Sequence, residues 1–427
     1  MASSAQAAGV ITRVSLKFPL IFQLVTVLLV FFAASAEGQT KYDLNAGGGE
    51  RARALVKFDL FYVDARVLCL TLAVLCALAT VHAFYRVWMR MKISALSAFV
   101  AGASIALGIL TWYGADSRAN VTLTATLAGG LVLAVPMIYG SMAGIVSERV
   151  GVVNIAIEGQ LLVGAFAGVV VASATKSVTL GLAAAPAAGA LLGSLLAFFA
   201  IKYNIDQIII GVVLNVLALG LTSFFFQAKL EGGSGLNSSA VHLRNIRIPL
   251  LADIPIIGPI LFKQTLLTYF MYALVAFLTV YLFRSRWGLR LRACGEHPKA
   301  AATVGIDVRR TRFLNTMLSG AIAGLGGAFL TIGASVGQSF NENMSAGRGY
   351  IALAAMILGR WHPIGAVGAA LVFGLSEAMA TLLKSLDAGS ALAGYFSMLP
   401  YVITILAVAG FVGRSRPPAA ENTPYEG

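Results

Sequence analysis

Ser147-Glu148-Arg149-Val150-Gly151-Val152-Val153-Asn154-Ile155-Ala156-Ile157-Glu158-Gly159-Gln160 is the stretch on which the fold turns. It lies where two apolar runs, 121–146 and 155–174, meet. Runs of about 18 or more apolar residues are long enough to cross a hydrocarbon core of roughly 30 Å. Charged or amide side chains at the mouth of such a run are costly in lipid and face a cavity or a partner. Asn154 and Glu158 are four residues apart, so a helix through both puts them on one face, with Gln160 close by. Gly151 and Gly159 would let the backbone bend. The stretch reads either as a loop feeding a helix that starts at Gly159, or as a broken or re-entrant helix lining a path. The second reading is the expectation carried forward, because non-helical backbone at membrane depth is tolerated where it lines a cavity.

Outward from this stretch, apolar runs recur at 18–36, 66–85, 95–112, 178–201, 205–226, 265–284, 313–334, 364–384 and 395–413, with a short one at 350–358. The fold class is therefore an all-α polytopic membrane protein of about 11–12 transmembrane segments. Only 11% of the 427 residues are charged and 58% are hydrophobic; a soluble domain carries about 25% charged residues. The 45 glycines suit helices that approach closely in lipid. The net charge of +13 sits between apolar runs, where membrane proteins place Lys and Arg, so it does not argue for a nucleic-acid partner. Neither the three cysteines nor the four histidines have metal-ligand spacing, and no GxxxxGK[ST] loop occurs. No cofactor, catalytic constellation or nucleotide engine is expected.

The segment 284–312 carries Arg284, Arg286, Arg290, Arg292, Lys299, Arg309, Arg310 and Arg312, which assigns it to the cytoplasmic side. Counting crossings outward puts both termini inside and segments 37–65 and 227–264 outside. Ala34-Ser35-Ala36 resembles a signal-peptidase site, but its apolar stretch exceeds a signal core of about 7–15 residues and reads as an uncleaved anchor. Within the basic segment, Pro298–Val304 reads as a short helix, with Pro298 in its first turn and Gly305 as its stop. Such a helix can dock in a cleft on another protein. In 227–264, prolines at 249, 255 and 259 forbid one continuous helix.

A second interrupted stretch, 347–363, opens Gly347-Arg348-Gly349-Tyr350 and is also short and glycine-bracketed. Five apolar runs separate it from the first, so the two lie in opposite orientations. Paired broken segments in inverted halves point to a transporter's central pathway, here a core of about ten helices in inverted five-helix repeats. Asn154, Glu158, Gln160 and Tyr350 are the pathway candidates, with Gln207, Asn215 and Asn315 as weaker ones, since single amides in spans more often bond a neighbouring helix.

These residues resemble a known family, the nucleoside and simple-sugar ABC importer permeases, relatives of the ribose and branched-chain amino acid permeases. The resemblance rests on Ser147–Gly159, on Gly295-Glu296-His297-Pro298-Lys299-Ala300-Ala301 with Gly305-Ile306-Asp307-Val308, on Leu318–Ala328, and on Gly347–Gly359. It covers about 120–413. It implies an ATP-binding ABC subunit, a second permease subunit and an extracellular solute-binding protein as partners, with membrane lipid around the chain. It also implies that Glu296, His297, Pro298, Lys299, Ala301, Gly305 and Asp307 sit in the ATPase cleft. Glu148-Arg149 and the proline-rich outer segment favour the nucleoside branch. On this reading 1–118 is an N-terminal extension with three candidate spans, 119–416 the permease core and 417–427 a cytoplasmic tail. The chain would move a nucleoside or simple sugar inward on a partner's ATP hydrolysis. The alternative is an ion-coupled secondary transporter of a small polar solute, for which Glu377 is the main intramembrane acid.

Overall fold

A computed structural model describes residues 16–45, 60–117, 119–230, 235–238, 241–333, 339–386, 395–396, 398, 400–402, 405 and 416–425. Among them ten helices are long and apolar enough to cross a membrane. Most of the run expected at 395–413, and Glu231–Ser234 of the outer segment, lie outside the described residues.

The chain divides into two compact units. The first holds the described residues of 16–45, 60–123 and 381–396. Its helices are α1 (Lys17–Ser35), α2 (Ala65–Trp88) and α3 (Ala95–Tyr113), and its strands are β1 (Gln39–Asp43), β2 (Phe61–Asp64) and β3 (Val121–Thr122). The strands lie in the order β2-β1-β3, with β2 antiparallel and β3 parallel to β1. Asp64 caps α2 by accepting from the Val67 amide at 3.0 Å, and Ser94 caps α3 through the Leu96 amide at 3.3 Å. α2 wears its large residues outward: Val67, Leu70, Val74, Leu78, Val81, Tyr85 and Trp88 are exposed at helical spacing. Its inner stripe is small, with Cys69, Ala73, Cys76, Thr80 and Ala83 buried. Small residues inside and bulky apolar ones outside suit a helix whose outer solvent is lipid.

The second unit holds 124–380 and the described residues from 398 onward. In chain order its helices are α4 (Leu123–Glu148), α5 (Ile157–Thr175), α6 (Val178–Ala197) with a π-turn Phe198–Lys202, and α7 (Gln207–Phe225) with a π-turn Phe226–Leu230. A hairpin of β4 (Ile246–Arg247) and β5 (Lys263–Gln264) brackets α8 (Ile257–Leu261), and Arg247 pairs with Asp253 in the turn between, where the prolines break the helix as expected. There follow α9 (Leu266–Arg284), α10 (Arg286–Glu296), α11 (Pro298–Thr303), α12 (Val308–Leu330), α13 (Arg348–Leu358) and α14 (Pro363–Leu386).

α4 is the central post of this unit: its residues from Ala134 to Glu148 are all buried. Glycines set how closely its neighbours approach. α6 and α12 cross on Gly189, Gly193, Gly320 and Gly324, spaced four apart on each helix; a Cβ on Gly189 would overlap the Gly320 carbonyl, and one on Gly320 the Gly189 carbonyl. Without side chains between them, the two backbones touch directly, as small-xxx-small pairs do in lipid.

Three expectations are corrected. Helix α5 begins at Ile157, so Asn154 lies in an irregular turn and does not share a helix face with Glu158. The basic segment is not one loop with a short helix: Ser285 caps α10 through the Gly288 amide at 2.9 Å, and an amphipathic helix of 11 residues precedes α11. The span expected at 313–334 starts at Val308, because Asp307 accepts from the Arg310 amide at 2.9 Å and nucleates the helix five residues earlier. α13, at 11 residues, is about 16 Å long and too short to cross alone, as its sequence suggested.

Candidate functional site

The bend between α4 and α5 is where the polar side chains gather. α4 stops because Gly151 takes a left-handed conformation, φ +91°, and Ser147 Oγ turns back to donate to the Val152 carbonyl at 2.7 Å. Residues 152–156 then run without a helical ladder of their own, and their backbone groups are met by side chains from other helices. The Val153 amide donates to Gln207 Oε1 at 2.7 Å, and Asn215 Nδ2 donates to the Ile155 carbonyl at 2.9 Å. At the start of α5, Asn215 Oδ1 accepts from the Gly159 amide at 2.8 Å. The two amides on α7 thus hold both sides of the bend.

Asn154 is wholly buried. Its Nδ2 donates to Gln160 Oε1 at 3.0 Å and to Ser319 Oγ at 2.9 Å, while Gln160 Nε2 donates back to Asn154 Oδ1 at 3.2 Å. Ser319 Oγ in turn donates to the Ala143 carbonyl at 2.6 Å, which ties α12 to α4.

Glu158 joins the bend to the second interrupted stretch. Its two oxygens accept from the Gly347 amide at 2.7 Å and the Gly349 amide at 2.6 Å. A carboxylate there meets the unpaired amides and positive end of α13. Gly347 is left-handed, φ +82°, and a Cβ on Gly349 would fall 2.6 Å from Glu158 Cα. Tyr350 OH accepts from Asn215 Nδ2 at 3.1 Å, with its ring half exposed.

Six of the seven pathway candidates, Asn154, Glu158, Gln160, Gln207, Asn215 and Tyr350, are therefore linked by hydrogen bonds around one bend. Asn315 is not among them; its Nδ2 donates to Thr311 O at 2.8 Å, one turn back on its own helix. Glu377, the acid an ion-coupled mechanism would need, is paired with Arg348 Nη2 at 2.7 Å.

The segment expected to couple the chain to a partner touches the same bend. Glu296, His297, Lys299, Gly305 and Asp307 are exposed, Pro298 is half-buried and Ala301 is the buried anchor. Pro298 opens α11 and Gly305 follows it in a left-handed conformation, φ +82°, as the sequence predicts. At the end of α10, a Cβ on Gly295 would overlap the Arg149 carbonyl, so helix and bend meet backbone to backbone. Asp307, besides being exposed, caps α12.

Several residues at this junction escaped the sequence reading. Arg149 donates through Nε to the Trp361 carbonyl at 3.1 Å, and its guanidinium sits 5.5 Å from the Phe283 ring centre. Burial pulls its pKa below the usual arginine value, against the pull of Glu296 and with that of Arg292. Trp361 Nε1 donates to Glu148 Oε2 at 2.6 Å from a turn in which Arg360 and Trp361 are both left-handed. Arg312, legible only as one more basic residue of the loop, is buried beneath the C-terminal segment: Nη1 donates to the Thr423 carbonyl at 3.0 Å and Nη2 to that of Ala420 at 3.4 Å. The polar residues bracketed by glycines gave the signal for the bend; nothing local gave it for Arg312.

Residues 126–408 match the family described as branched-chain amino acid transport system, permease component. The chain is 39% identical over 303 residues to the guanosine ABC transporter permease protein NupQ of Bacillus subtilis, covering 69% of this chain and 94% of that protein. It is 38% identical over 312 residues to the nucleoside ABC transporter permease protein NupC of Lactococcus lactis subsp. cremoris, covering 71% and 97%. Against the putative glucose ABC transporter permease protein TsgC13 of Haloferax volcanii the identity is 33% over 292 residues, covering 66% and 84%. The bend, the basic helices and the glycine-rich α12 all fall inside the matched region, and the chain belongs to this family of multi-pass ABC transporter permeases.

Proposed function

We propose that this chain is the membrane-spanning conduit of an ATP-driven nucleoside importer, seated in a cell membrane with both termini in the cytoplasm. The observation that carries the reading is the direct backbone contact between α10 and the polar bend, made at Gly295 and Arg149. A push on exposed α11 then acts on the bend through packed backbone rather than through a flexible loop. Glu296, His297, Pro298, Lys299, Gly305 and Asp307 form the face that an ATP-binding subunit grips, with Ala301 anchoring it from beneath. A second permease subunit completes the conduit, and a solute-binding protein delivers the solute from outside. Nucleosides are favoured as solute because the relatives with higher identity carry guanosine and nucleoside in their names; a glucose name at lower identity makes a sugar the alternative.

On this reading 119–416 is the permease core, and 1–118 adds three spans to it. Asn154, Glu158, Gln160, Gln207, Asn215 and Tyr350 hold the two broken segments of inverted halves together beside the solute path. They act by positioning the backbone, since their polar groups are already engaged with backbone groups of the bend and of α13 or with one another. The chain itself catalyses nothing; hydrolysis belongs to the partner.

Vesicles reconstituted with this chain, its ATPase and its binding protein test the proposal. Uptake of radiolabelled guanosine that requires ATP and the ATPase, and is indifferent to proton or sodium gradients, is the expected result. Uptake by this chain alone under an ion gradient would overturn it.

A further inference from the structure

The last described residues, 416–425, do not hang free. Pro417-Pro418-Ala419-Ala420-Glu421-Asn422-Thr423-Pro424 has the composition of a solvated tail, yet it folds into two successive turns, with the Glu421 amide donating to Pro418 O at 3.1 Å and Thr423 Oγ1 to Ala420 O at 2.7 Å. The folded piece is wedged among four segments that are distant in the chain. Ala420 N donates to the Gly295 carbonyl at 2.9 Å and Ala419 N to Glu296 Oε2 at 3.3 Å, at the junction of α10 and α11. Arg312, from the base of α12, donates to the Ala420 and Thr423 carbonyls and is itself buried. Asn422 Nδ2 donates to Asp206 Oδ2 at 3.3 Å, the residue that caps α7. A Cβ on Gly151 of the bend would lie 3.2 Å from the Ala420 carbonyl, and the Glu421 carboxyl meets that of Glu148, the last residue of α4.

We propose that residues 416–425 are a positioning clasp that holds α10–α11, the α4–α5 bend and the bases of α7 and α12 as one moving part. The proposal rests on the coupling role assigned above to α11. The backbone contact of Gly295 with Arg149 and Gly151 links α10 to the bend but does not reach the bases of α7 and α12. The clasp adds attachments on Gly295 itself, on Glu296, on Arg312 of α12 and on Asp206 at the cap of α7, and so ties these bases to the Gly295 contact. The clasp itself offers backbone groups for the most part, the Ala419 and Ala420 amides and the Ala420 and Thr423 carbonyls, to side chains of Glu296 and Arg312 and to the Gly295 carbonyl, so what it responds to is the relative position of the segments that carry them. A positioning role of this kind predicts loss of transmission without loss of the motor: the ATPase would still bind and hydrolyse, but its stroke would reach the bend only in part.

The test uses the full reconstituted complex with its ATPase and binding protein, and radiolabelled guanosine as the transported probe. Two variants are compared with the whole chain: one ending at Arg416, and Ala420→Pro, which keeps the length but removes the amide bonded to Gly295. The readout is guanosine imported per ATP hydrolysed. A merely structural role would lower the amount of assembled complex, reducing import and hydrolysis together and leaving the ratio unchanged. The expected result is hydrolysis within twofold of the whole chain and a ratio at least tenfold lower, raised again in the shortened chain by a synthetic peptide of residues 416–427. A ratio within twofold of the whole chain in Ala420→Pro overturns the clasp, whether or not the shortened chain assembles. The double variant Lys299→Glu, Asp307→Asn, run alongside, separates the two ideas. Normal import in it removes the coupling reading itself, whereas normal import confined to the tail variants removes only the clasp.

Discussion

Replacing Glu158 by glutamine changes one oxygen for one amine and little else, and the structure makes the cost calculable. Both carboxylate oxygens accept backbone amides at the start of α13, from Gly347 at 2.7 Å and Gly349 at 2.6 Å. Glutamine offers a single acceptor, so one of the two amides must face an NH2 group. A hydrogen bond to a charged group is worth about 1.5–3 kcal/mol. The lost attraction between a negative charge and a helix N-terminus adds about 0.3–1 kcal/mol. The expected penalty for E158Q is therefore about 2–4 kcal/mol, and E158A, which leaves both amides without an acceptor, should cost more. Unfolding of the purified chain in mixed micelles against denaturant measures the difference, and guanosine uptake by the reconstituted complex should fall in the same order, wild type, then Gln, then Ala. Wild-type stability in E158Q, within about 0.5 kcal/mol, would refute the reasoning, because it would mean the carboxylate does not hold α13 in place.

Gly320→Ala should destabilise by about 1–3 kcal/mol or more, since the new Cβ meets the Gly189 carbonyl rather than a movable side chain; thermal melts and membrane yield would register it. Asp307→Asn should keep α12 intact, whereas Asp307→Ala should lose the cap at about 1 kcal/mol; if the two melt alike, the cap contributes nothing. Glu421 has its pKa pushed up to about 7, chiefly by burial, with a hydrogen bond from Glu148 opposing. A folded value above the ordinary carboxylate value of about 4.3 means that docking is strongest below that pH and is lost as pH rises through about 7. Glu148 is the titratable group that meets Glu421, while Glu296, Arg312 and Asp206 bond its neighbours Ala419, Ala420 and Asn422. Hydrogen exchange of the Ala420 amide, corrected for its intrinsic rate, should therefore be faster at pH 8.5 than at pH 5.5, and Glu421→Gln should flatten that dependence.

What the sequence discloses is what its chemistry decides locally. The apolar runs declare their helices because lipid demands length and hydropathy, and Pro298 with Gly305 brackets α11 because proline fits a first turn and a left-handed glycine ends one. The bend was legible as a place, through Asn154, Glu158 and two glycines, but not as a shape. The four-residue spacing suggested one helix face, whereas Gly151 and the side chains of Gln207 and Asn215 hold 152–156 open. Asn315 resembles Asn215 in sequence and behaves differently, because the Thr311 carbonyl one turn back on its own helix satisfies it. The docked C-terminal segment left no trace in composition; its partners stand more than a hundred residues away, and Arg312 read as an ordinary loop charge.

The glycine crossing of α6 and α12 limits how this machine can move. Side chains act as lubricant between helices: they swap rotamers and let one ridge climb past another. Where Gly189, Gly193, Gly320 and Gly324 lay peptide planes against each other, no such cushion exists, and a shift of a single residue would drive a Cβ into a carbonyl. The two helices must then travel as a keel, and whatever opens and shuts has to swing around them.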